Sequence, residues 1–329
     1  MQPKPVHIPR IREWFGALVA LIMFAGALWV LHHELRYVHY HELLDEVRHI
    51  SARRIAMALG LTVLSYLTLT GYDSLGFAYL GRRLAYHRIG LGSFLGYALS
   101  HNLGFAALTG PAIRFRIYSA WGLTLFEVTK LFAFCGAMFW LGFLALSGAA
   151  FLVEPLSLPD DFHLSLIPLR IFGIVLLAIL AAYLLWIGLK KHELRFRSWT
   201  FPAPSLRLSL LGIALSCLDW TLAAGVLYVL FSWASEPRFT AFLSMFMLAQ
   251  LLAFITHVPG GLGVFETLML LFLKADMPTS QILGTLLIYR CLYYLLPLGV
   301  AVLLLAGHEL LRRRGPKGRH ESEFDHQPL

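Results

Sequence analysis

The sequence predicts an all-α protein that crosses a membrane about eight times. Of the 329 residues, 58% are hydrophobic and only 14% are charged, against about 25% charged residues in soluble domains. Apolar stretches near the ~20 residues needed to span a bilayer recur along the chain, and basic residues concentrate in alternate connections between them. These three observations exclude an ordinary soluble enzyme.

Eight apolar segments are long enough to cross, and several exceed the minimum, which implies tilt or ends that reach the headgroups. They are residues 13–31, 55–80, 89–107, 124–151, 166–189, 206–231, 239–257 and 280–306. Shorter apolar pieces lie at 111–122 and 262–273. The predicted organisation is a cytoplasmic head (1–12), a transmembrane domain (13–307) and a cytoplasmic basic tail (308–329).

The distribution of basic residues predicts the orientation. Sixteen Lys and Arg residues fall in residues 1–12, 81–88, 190–207 and the tail. The connections between them hold far fewer, namely Arg36, Arg48, Arg238 and Lys274. Because cytoplasmic loops carry the excess of Lys and Arg, both termini are expected in the cytoplasm. The net charge of +8 then indicates membrane topology, and no nucleic-acid partner is predicted.

The number of crossings constrains the first half of the chain. Loop 81–88 is predicted inside and loop 152–165 outside, so residues 89–151 cross an odd number of times, although they hold three apolar pieces. A hairpin that enters and returns, followed by one crossing, satisfies this count. Its break would lie at Gly110 and Pro111, since proline removes a backbone donor and suits the start of a helix.

The second half repeats this layout in the opposite orientation. Loop 232–238 is predicted outside and the tail inside, and residues 239–306 again hold three pieces, with a break at Pro259, Gly260 and Gly261. Inverted repeats with broken helices are the architecture of many secondary transporters. The sequence therefore predicts such a repeat, while hairpins that span the membrane fully would satisfy the same count.

Charged residues inside apolar segments cost at least ~2.5–3.5 kcal/mol each, so each needs a partner or a function. Those here are Asp73, Arg114, Arg116, Glu127, Lys130, Asp219, Glu266 and Arg290. Arg114 and Arg116 lie beside a predicted helix N-terminus, a combination that suits a lipid phosphate. On a helix, Arg114 and Tyr118 share a face and Arg116 points away, whereas in an extended segment all three side chains align. The alternative to a phosphate site is that Arg114 or Arg116 pairs internally with Asp73 or Asp219, or snorkels to a headgroup.

Three acids and one histidine are candidates for a polar pathway that meets a headgroup amine or carries a proton: Asp73, Asp219, Glu266 and His257. Glu266 would alternatively complement the dipole of its helix. Arg290 lies inside the last apolar segment, where an internal carboxylate or a lipid phosphate would each satisfy it.

Known catalytic motifs do not appear in the sequence. It contains no GxxxxGK[ST], HExxH, GxSxG or paired CxxC, so no catalytic residue, metal site or cofactor is predicted. Glu127 and Lys130 are three residues apart near a predicted helix start, which predicts a local ion pair between them.

Several motifs resemble one known family. They are Tyr72-Asp73, Gly96-Tyr97 with His101-Asn102-Leu103-Gly104, Leu108-Thr109-Gly110, Arg114-Phe115-Arg116-Ile117-Tyr118-Ser119-Ala120-Trp121-Gly122-Leu123 and Pro259-Gly260-Gly261-Leu262-Gly263-Val264-Phe265-Glu266. The chain resembles, over nearly its whole length, the N-terminal membrane domain of the bifunctional lysylphosphatidylglycerol flippase/synthetase, also called the multiple peptide resistance factor.

The resemblance implies a multi-pass protein of the bacterial inner membrane. It implies a flippase that moves lysyl- or alanyl-phosphatidylglycerol to the outer leaflet and confers resistance to cationic antimicrobial peptides. The functional positions that it carries over are Asp73, Arg114 and Asp219. The family's synthetase half has no counterpart in these residues, so a transporter, and no enzyme, is expected.

Two other functions are compatible with the same residues. One is transport of a different amphiphile, such as an isoprenoid-linked sugar or a hopanoid. The other is a membrane scaffold for a separately encoded aminoacyl-lipid synthetase. The expected partners are therefore membrane phospholipid, a separate synthetase and a second copy of the chain.

Overall fold

The computed structural model describes residues 50–103, 113–154, 169–189, 194–196, 199–201, 203–233, 237–255 and 263–314. Nearly all of these residues are helical, which confirms the all-α prediction. The labelled elements are α1 (Ala52–Tyr79), α2 (Tyr86–Leu103), α3 (Leu125–Val153), α4 (Leu169–Leu189), β1 (Leu194–Phe196), β2 (Trp199–Phe201), α5 (Leu206–Leu230), α6 (Phe239–Ile255), α7 (Val264–Leu273), α8 (Thr279–Arg290) and α9 (Leu296–Arg314). Strands β1 and β2 form a small antiparallel pair.

Within this part of the chain, five helices are long and apolar enough to cross a membrane. They are α1, α3, α4, α5 and the continuous Thr279–Gly307. Helices α6 and α7 are shorter, at 17 and 10 residues. The predicted first segment, 13–31, lies outside the described residues, so the count of eight spans stays a prediction.

Helices α1 and α5 pack side by side and run in opposite directions. Ser65 of α1 contacts Asp219 of α5, and Arg54, near the start of α1, donates to Ser232, just after the end of α5. Helix α3 packs against α5 closely at Gly142, where a Cβ would collide with the side chain of Ser216 and approach a backbone carbonyl to 3.1 Å.

The residues before α2 and those at the start of α3 lie at the same end of the bundle. Arg82 donates to Glu127 over 2.6 Å, so the predicted pair of Glu127 with Lys130 is wrong. The ammonium of Lys130 lies over the ring of Phe126. The end of α1 and the start of α3 therefore lie at one end of the bundle, which is the placement that the predicted hairpin requires.

The C-terminal end of α2 lies near the middle of the bundle. The ring of His101, near the end of α2, lies 6.3 Å from that of Tyr66, which is the fifteenth of the 28 residues of α1. Residues 113–118 are helical and run back along α2. The predicted break at Gly110 and Pro111 lies outside the described residues.

A second group of helices has its ends at the opposite end of the bundle. Tyr228 of α5 donates to the carbonyl of Pro237, just before α6, over 2.9 Å. Gln281 of α8 donates to the carbonyl of Ser232, also over 2.9 Å. Residues 237 and 281 therefore both lie at the end of the bundle where α5 finishes. The predicted breaks at residues 259–261 lie outside the described part of the chain.

A π-helical turn, Cys291–Leu295, joins α8 to α9. Pro297 lacks an N–H, so it cannot bond to the carbonyl of Tyr293 four residues earlier. That carbonyl accepts the hydroxyl of Tyr66 over 3.3 Å, and the next one, of Tyr294, accepts the amide of Asn102 over 3.3 Å. Isolated π-turns are frequent at functional sites, and this turn meets the inner end of the first hairpin.

Candidate functional site

Three carboxylates lie buried among these helices, with exposed fractions of 0% for Asp73, 5% for Asp219 and 8% for Glu266. Buried charges are normally paired. How each one is satisfied therefore defines the polar chemistry of the bundle.

Asp73 binds the guanidinium of Arg114 through both of its oxygens. Arg114 Nη2 donates to Oδ1 over 3.1 Å and Nε donates to Oδ2 over 3.3 Å. The hydroxyl of Tyr118 donates to Oδ2 over 2.5 Å, and the guanidinium lies 4.2 Å from the centroid of the Tyr97 ring. The forked geometry and the cation–π contact make this a fully satisfied, electrically neutral pair.

The local sequence explains how this pair forms. Arg114 and Tyr118 are four residues apart on a helical segment, so both side chains point the same way, as predicted. Helix α2 presents glycines at the same spacing: a Cβ on Gly92 would collide with the ring of Tyr118, and one on Gly96 would lie 3.1 Å from Arg114 Cγ. Arg116 is exposed, so it does not join Arg114 in a single buried cluster.

Glu266 makes two contacts, one with the backbone at the start of its own helix, as the dipole interpretation expects, and one with Arg290. Its Oε2 accepts the backbone N–H of Gly263 over 2.8 Å, which caps the start of α7. Its Oε1 accepts Arg290 Nε over 2.7 Å and also contacts Arg290 Nη2. Arg290 lies 5.1 Å from the centroid of the Tyr294 ring. Arg290 therefore has an internal carboxylate partner, which is one of the two kinds of partner that the sequence predicted for it.

Asp219 differs from the other two acids because its described partners are hydroxyl groups. Ser65 Oγ donates to Asp219 Oδ1 over 2.6 Å, and Thr68 Oγ1 donates to the same atom over 3.4 Å. Ser65 also shares a 2.9 Å hydrogen bond with the hydroxyl of Tyr293. Among the described residues, no Lys or Arg side chain contacts Asp219.

Aromatic rings connect the two ion pairs. Tyr97, which covers Arg114, lies 5.8 Å from the ring of His101, and His101 lies 6.4 Å from the ring of Tyr294, which covers Arg290. The sequence did not single out His101 as a site residue. The sequence feature that could have identified it is its four-residue spacing from Tyr97, which places both rings on one face of the helix. The predicted pathway residue His257 lies outside the described residues.

The described residues contain no group of three or more His, Cys, Asp or Glu side chains that could hold a metal ion. What they provide is two neutral ion pairs, Asp73 with Arg114 and Glu266 with Arg290, and a third acid, Asp219, between the two long helices. This arrangement suits the reversible binding of charged groups inside a membrane.

Residues 14–301 match the family described as the lysylphosphatidylglycerol synthase TM region. The chain belongs to this family. Membership confirms the resemblance inferred from the motifs. These 329 residues hold the transmembrane region of the family, with no catalytic domain evident in them.

Two relatives of this family align over nearly their whole length. The uncharacterized protein slr0712 of Synechocystis sp. is 37% identical over 317 residues, covering 95% of this chain and 98% of the relative. The inner membrane protein YbhN of Escherichia coli is 29% identical over 308 residues, covering 93% of this chain and 95% of the relative. With the five apolar helices, the second match indicates a multi-pass protein of the inner membrane.

A third relative is much longer than the region it shares with this chain. The phosphatidylglycerol lysyltransferase of Staphylococcus aureus is 36% identical over 93 residues, which is 27% of this chain and 11% of that protein. The match links part of this chain to a protein named for lysyl transfer to phosphatidylglycerol.

Proposed function

We propose that this protein moves lysyl- or alanyl-phosphatidylglycerol from the inner to the outer leaflet and thereby contributes to resistance to cationic antimicrobial peptides. One observation carries the proposal: the bundle holds two buried carboxylate–guanidinium pairs. Arg114 in one pair and Glu266 in the other belong to the two predicted hairpins, whose outer ends lie at opposite ends of the bundle. Family membership and the match to a phosphatidylglycerol lysyltransferase support the choice of lipid.

The proposed topology has eight spans with both termini in the cytoplasm. Residues 1–12 form the head, 13–307 the transmembrane domain and 308–329 the basic tail. The two hairpins form an inverted repeat, each preceded by a long helix, α1 or α5. The opposite directions of α1 and α5, seen in the contact of Ser65 with Asp219, support this arrangement.

The two ion pairs provide a way to receive a charged headgroup without leaving a bare charge in the membrane. The headgroup of lysyl-phosphatidylglycerol carries an anionic phosphate and cationic amines. When it enters, Arg114 turns to the phosphate and Asp73 turns to an amine, so two mixed pairs replace one internal pair. Glu266 and Arg290 repeat the exchange on the second hairpin, and Arg116 attracts the phosphate at the entrance.

The acyl chains stay in the bilayer throughout, so only the headgroup crosses the protein. Rocking of one hairpin unit against the other then exposes the headgroup to the outer leaflet, as in other transporters built from inverted repeats. The breaks at Gly110 and Pro111 and at residues 259–261 would serve as hinges. A headgroup of net charge +1 moves outward against an inside-negative potential at about 2.3 kcal/mol per 100 mV.

The test is lipid exchange in liposomes that contain the purified protein. The leaflet distribution of labelled phosphatidylglycerol and lysyl-phosphatidylglycerol is followed for the wild type, Asp73→Asn and Arg114→Ala. Arg83→Ala is the control, because it removes an exposed arginine that has no role in the proposed transport. We expect the wild type to accelerate lipid exchange. Both buried substitutions should abolish this acceleration, and the control variant should retain the larger part of it.

Exchange no faster than in protein-free liposomes, from protein shown to be folded, would contradict the proposal. The remaining functions would then be transport of an isoprenoid-linked sugar or a hopanoid, or a scaffold for a separate synthetase. Co-purification of such an enzyme, or of a second copy of the chain, would identify the partner.

A further inference from the structure

We propose that Asp219 is the proton-carrying group of the transport cycle. Its carboxylate takes one proton from the outer aqueous phase and releases it to the cytoplasm as one cationic headgroup moves outward. The inference rests on the proposed lipid transport and assigns its coupling ion, which family membership leaves open.

The first argument is a comparison of the three buried acids. Asp73 and Glu266 each contact a guanidinium, so each is already neutralised as an anion. Asp219 is as buried as these two, yet its described contacts are hydroxyl groups. A buried carboxylate without a cationic partner is satisfied by binding a proton. Of the three, Asp219 is therefore the acid suited to exist in both protonation states.

The second argument is the nature of its partners. A hydroxyl group both donates and accepts hydrogen bonds, whereas a guanidinium only donates. Ser65 lies between Asp219 and Tyr293, at 2.6 Å from the carboxylate oxygen and 2.9 Å from the phenol oxygen. The chain of hydroxyls can therefore reverse its direction when the carboxyl group gains or loses a proton, without any side chain moving.

The third argument is position. Asp219 is the fourteenth of the 25 residues of α5, which places it ~20 Å from the start and ~17 Å from the end of that helix at 1.5 Å per residue. Its partner Ser65 occupies the middle of α1, and Tyr293 belongs to the π-turn beside the inner end of the first hairpin. A proton bound there is linked to the elements that the transport cycle moves.

Three tyrosines interact electrostatically with Asp219: Tyr66 and Tyr72 of α1 and Tyr293 of the π-turn. Helix α6 contains no ionisable side chain. The hydrogen bonds of Asp219 go to Ser65 and Thr68, and to none of the other ionisable side chains on the described helices that pack against α5: Arg53, Arg54, Asp73 and Tyr79 of α1, Glu127, Lys130 and Cys135 of α3, Arg170 and Tyr183 of α4, and Tyr289 and Arg290 of α8.

Exchange of one proton per lipid makes a quantitative prediction. In liposomes with an imposed pH difference and the electrical potential clamped, the steady-state ratio of lysyl-phosphatidylglycerol between leaflets changes by up to about tenfold per pH unit. Asp219→Asn, which holds the site neutral, is expected to retain exchange down a lipid gradient and to lose the response to pH. Asp219→Glu restores an ionisable group and is expected to recover the response.

The outcomes separate this inference from the proposed function. Lipid movement in the wild type that ignores the pH difference, or that follows a sodium gradient, overturns the proton assignment and leaves lipid transport standing. A pH response in Asp219→Asn equal to that of the wild type also overturns it. No lipid movement in the wild type overturns the proposed function itself.

A second measurement needs no transport activity. Infrared difference spectra recorded over a pH series are expected to show the carbonyl band of one protonated carboxylic acid, absent in Asp219→Asn. In Ser65→Ala the band is expected to shift, because the acid loses its shortest hydrogen bond. This shift assigns the band even where Asp219→Asn does not fold. Folded wild-type protein without such a band overturns the inference.

Discussion

The buried pair of Asp73 and Arg114 allows a quantitative test of how this bundle is held together. The perturbation is a cycle of three variants: Asp73→Asn, Arg114→Gln and the two combined. The carboxylate is 0% and the guanidinium 1% exposed, so water cannot replace a missing partner. Each single substitution leaves one charge buried alone, whereas the double variant leaves none.

Breaking a buried pair by removing one partner costs about 3–5 kcal/mol, while replacing both partners is often nearly neutral. The two N–H···O distances, 3.1 and 3.3 Å, exceed the ~2.7–2.9 Å of the strongest charge-assisted bonds. We therefore expect the lower end, about 3 kcal/mol for each single variant. That is roughly a 100-fold change in the unfolding equilibrium. The double variant should lose less than about 2 kcal/mol.

The measurement is equilibrium unfolding in mixed detergent micelles, followed by tryptophan fluorescence, since the chain has 8 Trp residues. The coupling energy is the difference between the double variant and the sum of the singles. A double variant as unstable as that sum would show that the two side chains do not interact, and the reasoning about this pair would be refuted. Arg83→Gln, at an exposed arginine outside the pair, is the control and is expected to change stability by less than ~0.5 kcal/mol.

Three further predictions concern local contacts; the first two are measured by the same unfolding assay and the third by hydrogen exchange. Glu127→Ala removes the capping box at Thr124 and should lower the free energy of unfolding by about 1 kcal/mol. Arg82→Ala removes only an exposed partner of Glu127 and should lower it by less. Equal losses in the two variants would contradict the stabilising role of the cap. Gly142→Val forces a side chain into α5 and should cost more than about 1 kcal/mol, and a neutral effect would contradict the close packing. Pro297→Ala supplies an N–H in competition with Tyr66, so hydrogen exchange should show new protection at residue 297, and its absence would contradict the proline's role.

Hydropathy alone predicted the class of fold and most of its helices. A backbone in lipid must satisfy its own hydrogen bonds, so an apolar stretch of sufficient length forms a helix whatever its neighbours are. The same local geometry predicted that Arg114 and Tyr118 share a face. The motifs predicted the family, which the match over residues 14–301 confirmed.

The sequence left the partners of the buried charges open. Arg114 was compatible with a lipid phosphate, Asp73 or Asp219, and the structure pairs it with Asp73. The predicted local pair of Glu127 with Lys130 was wrong, because Arg82, 45 residues earlier, reaches Glu127 from the end of α1. Spacing along a helix indicates which side chains of that helix can contact each other, but it does not indicate which helices pack together.

The tertiary structure therefore decided what distinguishes the three buried acids. In the sequence Asp73, Asp219 and Glu266 are equivalent, each a single carboxylate in an apolar segment. Packing gives Asp73 and Glu266 an arginine and gives Asp219 the hydroxyl of Ser65. Hydrophobicity and helix geometry are properties of consecutive residues and can be read from the chain. The environment of a charge depends on residues that are distant in sequence, and only folding brings them together.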